Sequence, residues 1–75
     1  MEELVRTIAV SLVDKPDEVD VKAVEGEDGL VIELHVSEGD MGKVIGKQGR
    51  IAKAIRTVVK AVATKENKRV SVEIV

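Results

Sequence analysis

Two glycines spaced by two residues, Gly46-Lys47-Gln48-Gly49, carry the strongest chemical signal in the chain. Glycine lets a backbone turn sharply, and it leaves room for another backbone where a Cβ would stand. The second glycine also opens a helix. The first N–H groups of a helix have no intrahelical partner, and its dipole favours an anion there. Lys47 and Arg50 place cations beside that spot, with Lys43 and Lys53 flanking them. A nucleic-acid phosphate is the expected guest.

The charge distribution supports this expectation. The net charge is only −2, but it is split unevenly. Residues 1–40 hold twelve acids against three bases, a balance of −9, and residues 41–75 hold nine bases against two acids, a balance of +7. Between Met41 and Lys60 there are six bases and no acid. A local field of one sign captures a polyanion even when the whole molecule is mildly acidic.

The elements that must position the loop are legible from periodicity. Before it, Met41, Val44 and Ile45 fall at i, i+3, i+4. After it, Ile51, Ala54, Ile55, Val58, Val59 and Val62 form a helical stripe to about Thr64. Asp40 is the expected N-cap of the short first helix. Residues 2–13 read as an amphipathic helix with Leu4, Val5, Ile8, Ala9, Leu12 and Val13 on one stripe, ended before Pro16. Residues 18–25 alternate, with Val19, Val21 and Ala23 inward. Residues 30–37 alternate, with Leu30, Ile32, Leu34 and Val36 on one face, after a Gly26-Glu27-Asp28-Gly29 hairpin loop. Residues 69–75 form a last strand with Val70, Val72 and Ile74 alternating.

The two early strands should pair antiparallel. The last should lie parallel to the second, since a helical crossover usually joins parallel strands. The expected architecture is α+β, in the order α-β-β-α-α-β: a three-stranded mixed sheet with three helices on one face, within a single domain over residues 1–75.

The loop Val44-Ile45-Gly46-Lys47-Gln48-Gly49-Arg50 and this element order resemble the KH (K-homology) domain in its type II arrangement. That family carries a GxxG loop between two helices and clamps about four nucleotides of single-stranded RNA or DNA there. A stand-alone domain of this length resembles the small bacterial KhpA-type proteins. That resemblance implies a non-catalytic RNA-binding role, described for the family as RNA chaperone or regulator. It also implies homodimers or pairing with a larger KH protein, KhpB. Carried onto this sequence, the site would comprise Lys43, Val44, Ile45, Gly46, Lys47, Gln48, Gly49, Arg50 and Lys53. Bases would turn onto an aliphatic groove formed by Val44, Ile45, the second loop helix and the 30–37 strand. Ala52 departs from the pattern, since many KH domains have a branched aliphatic there; its small side chain is expected to widen the groove or shift the helix.

Other functions find less support. There is no Phe, Tyr or Trp, so the aromatic stacking platforms of RRM and OB-type surfaces are missing. There is no Cys, hence no disulfide, thiolate metal site or thiol nucleophile. Gly46-Lys47 is followed by Gln48 rather than Ser or Thr, against a Walker A loop. Val44 stands where a dinucleotide fingerprint needs glycine. No cofactor or metal site is expected, and His35 has no metal-ligating neighbour in the pattern. Arg56 and Lys60 read as the solvated face of their helix, Lys65, Lys68 and Arg69 as turn solubilisers, and Met41 as core. The acidic start lacks a signal-peptide pattern, so a cytoplasmic setting is expected. Single-stranded DNA suits a backbone-reading loop as well as RNA, short of a 2′-OH contact. A dimerisation or adaptor module with weak nucleic-acid binding is the alternative reading.

Overall fold

The computed structural model describes residues 1–75. Its helices are α1 (Glu2–Leu12), α2 (Met41–Ile45) and α3 (Arg50–Lys65); its strands are β1 (Asp20–Gly26), β2 (Gly29–His35) and β3 (Val70–Ile74). The sheet order is β1-β2-β3. β1 and β2 are antiparallel, with Val21 opposite Leu34 and Ala23 opposite Ile32. β2 and β3 are parallel, with Ile32 opposite Val72 and Leu34 opposite Ile74. The expected type II KH architecture is therefore the observed one.

All three helices cover the same face of the sheet. Val21, Ile32, Leu34 and Val72 are the buried strand residues on that face, and they join Val5 and Ala9 of α1, Val44 of α2, and Ile55 and Val59 of α3 in one core. That core is wholly aliphatic, because the chain has no aromatic residue. On the opposite face Asp20, Lys22, His35 and Glu73 are exposed, and the His35 Nδ1 lies 3.3 Å from the Val75 carbonyl.

Several boundaries differ from the sequence expectation, each for a local reason. α1 stops at Leu12, because Val13 is already extended (φ −95°, ψ 159°). Residues Pro16–Glu18 form a 3-10 turn rather than the start of β1; proline's fixed φ suits the first position of a helical turn. Ala23 is exposed although its alternation places it inward, since the helical layer does not reach the outer half of the β1–β2 hairpin. The buried stripe of α3 is Ala52, Ile55, Val59 and Ala63. It is rotated from the expected one, and Ala54 and Val58 face out. Two alanines on the inward face let the helix approach closely, a preference that residue size conceals when hydrophobicity alone is counted.

Candidate nucleic-acid interface

The glycine loop owes its shape to three residues with positive φ. Gly46 has φ 78° and ψ 174°, Gln48 has φ 58° and ψ 26°, and Gly49 has φ 73° and ψ 15°. The Gly46 N–H closes α2 onto the Gly42 carbonyl at 2.8 Å, and the Gly49 N–H donates to the Gly46 carbonyl at 3.1 Å. The two glycines serve different needs. A Cβ at Gly46 would stand 2.6 Å from Ile51 Cγ1 and 2.9 Å from the Ile51 backbone nitrogen, whereas one at Gly49 would meet nothing within 4 Å. The close approach anticipated for a ligand is thus taken at Gly46 by the chain's own Ile51. Gly49 needs glycine only for its left-handed backbone.

Gln48, between them, is held in the left-handed region without a glycine's freedom. Such outliers cost roughly 1–3 kcal/mol and gather at ligand-contacting sites. No side chain caps the start of α3; the Arg50 N–H that opens it donates to the Lys47 carbonyl, as the Gly49 N–H does to that of Gly46. Lys47, Gln48, Arg50 and Lys53 are all exposed around this helix end. Arg50 Nη2 reaches Gln48 Oε1 at 3.5 Å, a long contact that fixes neither. The loop therefore presents cations and an amide at the positive end of the α3 dipole.

Two predicted site residues are placed elsewhere. Val44 is fully buried. It supports the loop from behind and cannot line a groove, because its side chain fills the space between α2, α3 and the sheet. Lys43 is turned away from the loop onto acids: its Nζ donates to Asp14 Oδ2 at 2.8 Å and lies 3.5 Å from Asp40 Oδ1. Its pKa is raised, chiefly by the hydrogen bond and charge of Asp14, with Asp40 adding to them against partial burial. Ile45 is about one-third exposed at the loop's edge, at 37%. Ala52 is buried, where it packs inward rather than opening a groove.

Asp40 has a larger role than the expected cap. It occupies the N-cap position of α2 but makes no side-chain capping bond there. Its buried carboxylate instead accepts from the Asp14 N–H at 3.1 Å, the Lys15 N–H at 3.0 Å and the Ser37 hydroxyl at 2.9 Å. Burial alone pushes its pKa up. The bonds from Asp14, Ser37, Lys15 and Lys43 together outweigh that and hold it below the usual carboxylate range. The result ties the α1–β1 connection to the base of the loop helix. The spacing Ser37-Glu38-Gly39-Asp40 is the sequence signal for it, since a hydroxyl three residues before an acid is the pattern of a capping box.

Residues 30–37, expected to wall the groove, offer it no free strand edge. β2 is the central strand and is paired on both sides. In the parallel ladder, Leu30 N–H donates to the Arg69 carbonyl and Val75 N–H to the Leu34 carbonyl. Odd-numbered residues of β3 thus face β2, and the backbone groups of Val70, Val72 and Ile74 point to the free edge. A shallow groove of about 200 Å³ lies between that edge and α3, lined by Arg56, Val59, Lys60, Val70, Ser71 and Val72. A further hollow continues past Ala63 and Thr64 to Lys68 and Arg69. Arg56 is exposed, as expected, and also donates from Nε to the Val72 carbonyl at 3.2 Å. Seeing this from sequence would require knowing that β3 is an edge strand and that Arg56 faces it.

Comparison with known proteins agrees with this fold. The chain is similar to the RNA-binding protein KhpA of Clostridium perfringens, at 69% identity over the full length of both chains. It is 68% identical to the protein of the same name from Clostridium acetobutylicum, again over both full lengths, and 54% identical to that of Borreliella burgdorferi over 96% of this chain and 88% of that one. Among solved structures it is similar to Aquifex aeolicus Era bound to GDP·AlF4⁻ (TM-score 0.58, 27% identity) and to Era in complex with MgGDPNP and nucleotides 1506–1542 of 16S ribosomal RNA (TM-score 0.59, 27% identity). In each case the match covers 97% of this chain but only 28% of the Era chain. The family profile described as KhpA/KhpB, KH domain matches residues 2–74; it describes a binding domain and not an enzyme. From the fold, the glycine loop and this end-to-end match, the chain belongs to the KhpA/KhpB family of KH domains.

Proposed function

We propose that this chain is a single KH domain that binds single-stranded RNA and acts as an RNA chaperone or post-transcriptional regulator in the bacterial cytoplasm. The observation that carries this reading is the loop. Three positive-φ residues turn the chain sharply into a helix start without a side-chain cap, whose dipole favours an anion, among Lys47, Gln48, Arg50 and Lys53. Phosphates sit against Gly46–Gly49 and the first turn of α3. Lys47 and Arg50 neutralise them, and Gln48 adds a polar contact. About four nucleotides span the loop, and their bases turn into the groove between α3 and β3, against Val70 and the free backbone groups of the strand. The name shared by the KhpA relatives supports RNA over DNA as the ligand. A second domain, from a homodimer or from a larger KH protein resembling KhpB, raises affinity by supplying a linked site at high effective concentration.

The test is fluorescence anisotropy with labelled single-stranded RNA pools and matched DNA across a salt series, with a Lys47→Asp, Gln48→Asp double variant beside the native chain. Circular dichroism establishes that both are folded. Binding that weakens with salt and vanishes in the folded double variant supports the reading. No binding by the native chain at high micromolar concentration and low salt refutes it.

A further inference from the structure

Arg56 is an exposed cation of the groove whose head is anchored at one point. Its Nε–H is held by the Val72 carbonyl at 3.2 Å, and none of the molecule's four ion pairs involves it. Guanidinium carries five N–H donors in one rigid plane. One is used by Val72, so the four on the two terminal nitrogens are uncommitted. They form a planar fork beside a groove of about 200 Å³. A pre-organised fork loses less freedom per hydrogen bond formed than a free lysine does.

The shape of that fork discriminates among bases. It matches two adjacent acceptors. Guanine offers O6 and N7, and cytosine offers O2 and N3. Adenine sets N7 beside a donating amine, so donor would meet donor. The two uracil carbonyls are separated by an N–H.

We propose that Arg56 is a base-reading residue, which selects a base with two adjacent acceptors, guanine or cytosine, over adenine and uracil at the groove position beside Val72. This rests on the RNA-binding reading above and specifies what that site prefers. Two other roles for the same side chain are a phosphate contact and a cap on the β3 edge, and each moves different observables.

The experiment uses fluorescein-labelled RNA tetranucleotide pools in which one position is fixed to each base in turn and the other three are random. The full chain and its Arg56→Lys variant, which keeps the charge and loses the fork, are titrated against all of them, with thermal melts in parallel. The expected result is one position at which the native chain prefers guanine or cytosine to adenine by at least about fivefold, the lower end for a good bidentate pair. In Arg56→Lys that preference falls below about twofold, while preferences at the other positions persist. Uniform weakening of every pool assigns Arg56 to phosphate and overturns the proposal. An unchanged ranking with a lowered melting temperature assigns it to the edge cap and also overturns it. Should Arg56→Lys unfold, the Arg56 Nε–H resonance of the native chain decides: it shifts with guanine- or cytosine-fixed pools and not with adenine-fixed ones, and equal shifts overturn the proposal. If no pool binds the native chain at low salt, the RNA-binding reading itself fails. If pools bind without an Arg56-dependent position, only the present inference does.

Discussion

Replacing each loop glycine by alanine separates two physical demands that the GxxG pattern merges. At Gly46 the backbone sits at φ 78° and ψ 174°, a region that is almost exclusively glycine's and costs another residue roughly 1–3 kcal/mol. The new methyl would also stand 2.6 Å from Ile51 Cγ1 and 2.9 Å from Ile51 Cβ. Overpacking of that kind adds about 1–3 kcal/mol, because Ile51 is packed against the core and cannot swing away freely. Gly46→Ala should therefore lose about 2–6 kcal/mol. Gly49→Ala meets open space and bears only the left-handed penalty, about 1–2 kcal/mol. A domain of 75 residues has about 4–11 kcal/mol in total, so the first variant approaches unfolding and the second does not. The assay is urea unfolding followed by far-ultraviolet circular dichroism, since a chain without Trp or Tyr has no useful fluorescence. In thermal melts each kcal/mol corresponds to about 4–8 °C for a domain this small. Equal losses in the two variants, or a larger loss for Gly49→Ala, would refute the assignment of Gly46 to intramolecular packing.

Other perturbations follow from the same geometry. Val44→Ala should cost about 2 kcal/mol in chemical denaturation yet leave RNA affinity within about twofold where the protein is folded; a selective loss of affinity would return Val44 to the groove. Lys47→Ala should reduce the slope of log affinity against log salt by about 0.7, the share of one phosphate on a single strand, whereas Lys43→Ala should leave it unchanged because Asp14 and Asp40 already hold that ammonium. The pKa of Asp40 is lowered in the fold, so its contribution is present above the unfolded value near 3.9 and is lost as pH falls through the lower folded value. Asp40→Asn should thus melt lower than the native chain at neutral pH, and the gap should narrow as pH falls below the unfolded value; a constant gap across that range would rule out the charge as the cause.

The fold was largely legible because each element carries its own period. The alternation of Ile32 and Leu34, the spacing of Ile55 and Val59, and the hairpin between Gly26 and Gly29 each point to a local structure that does not depend on the others. The loop was legible as well, since two glycines beside a helix start have few other physical readings. What sequence could not resolve was relational. Val44 and Ile45 are neighbours of equal hydrophobicity, and only the helix packing decides that one is core and the other edge. Lys43 looks like part of the basic run until Asp14, which is 29 residues away in sequence, folds onto it. Alternation alone does not say which strand lies at the edge; strand order in the finished sheet places β2 in the middle and leaves a free edge to β3.

That placement of β3 has a consequence for how the protein comes into being. The glycine loop, its cations and α3 are all made before β3, yet one wall of the groove and the buried Val72 belong to β3. Parallel pairing of β3 with β2 spans some forty residues, as from Leu30 to Val70, and contacts so distant in sequence form late in folding. A nascent chain halted after α3 would therefore display a complete GxxG motif with nowhere to seat a base. On the RNA-binding reading proposed above, phosphate capture would then precede base selection as the chain is made.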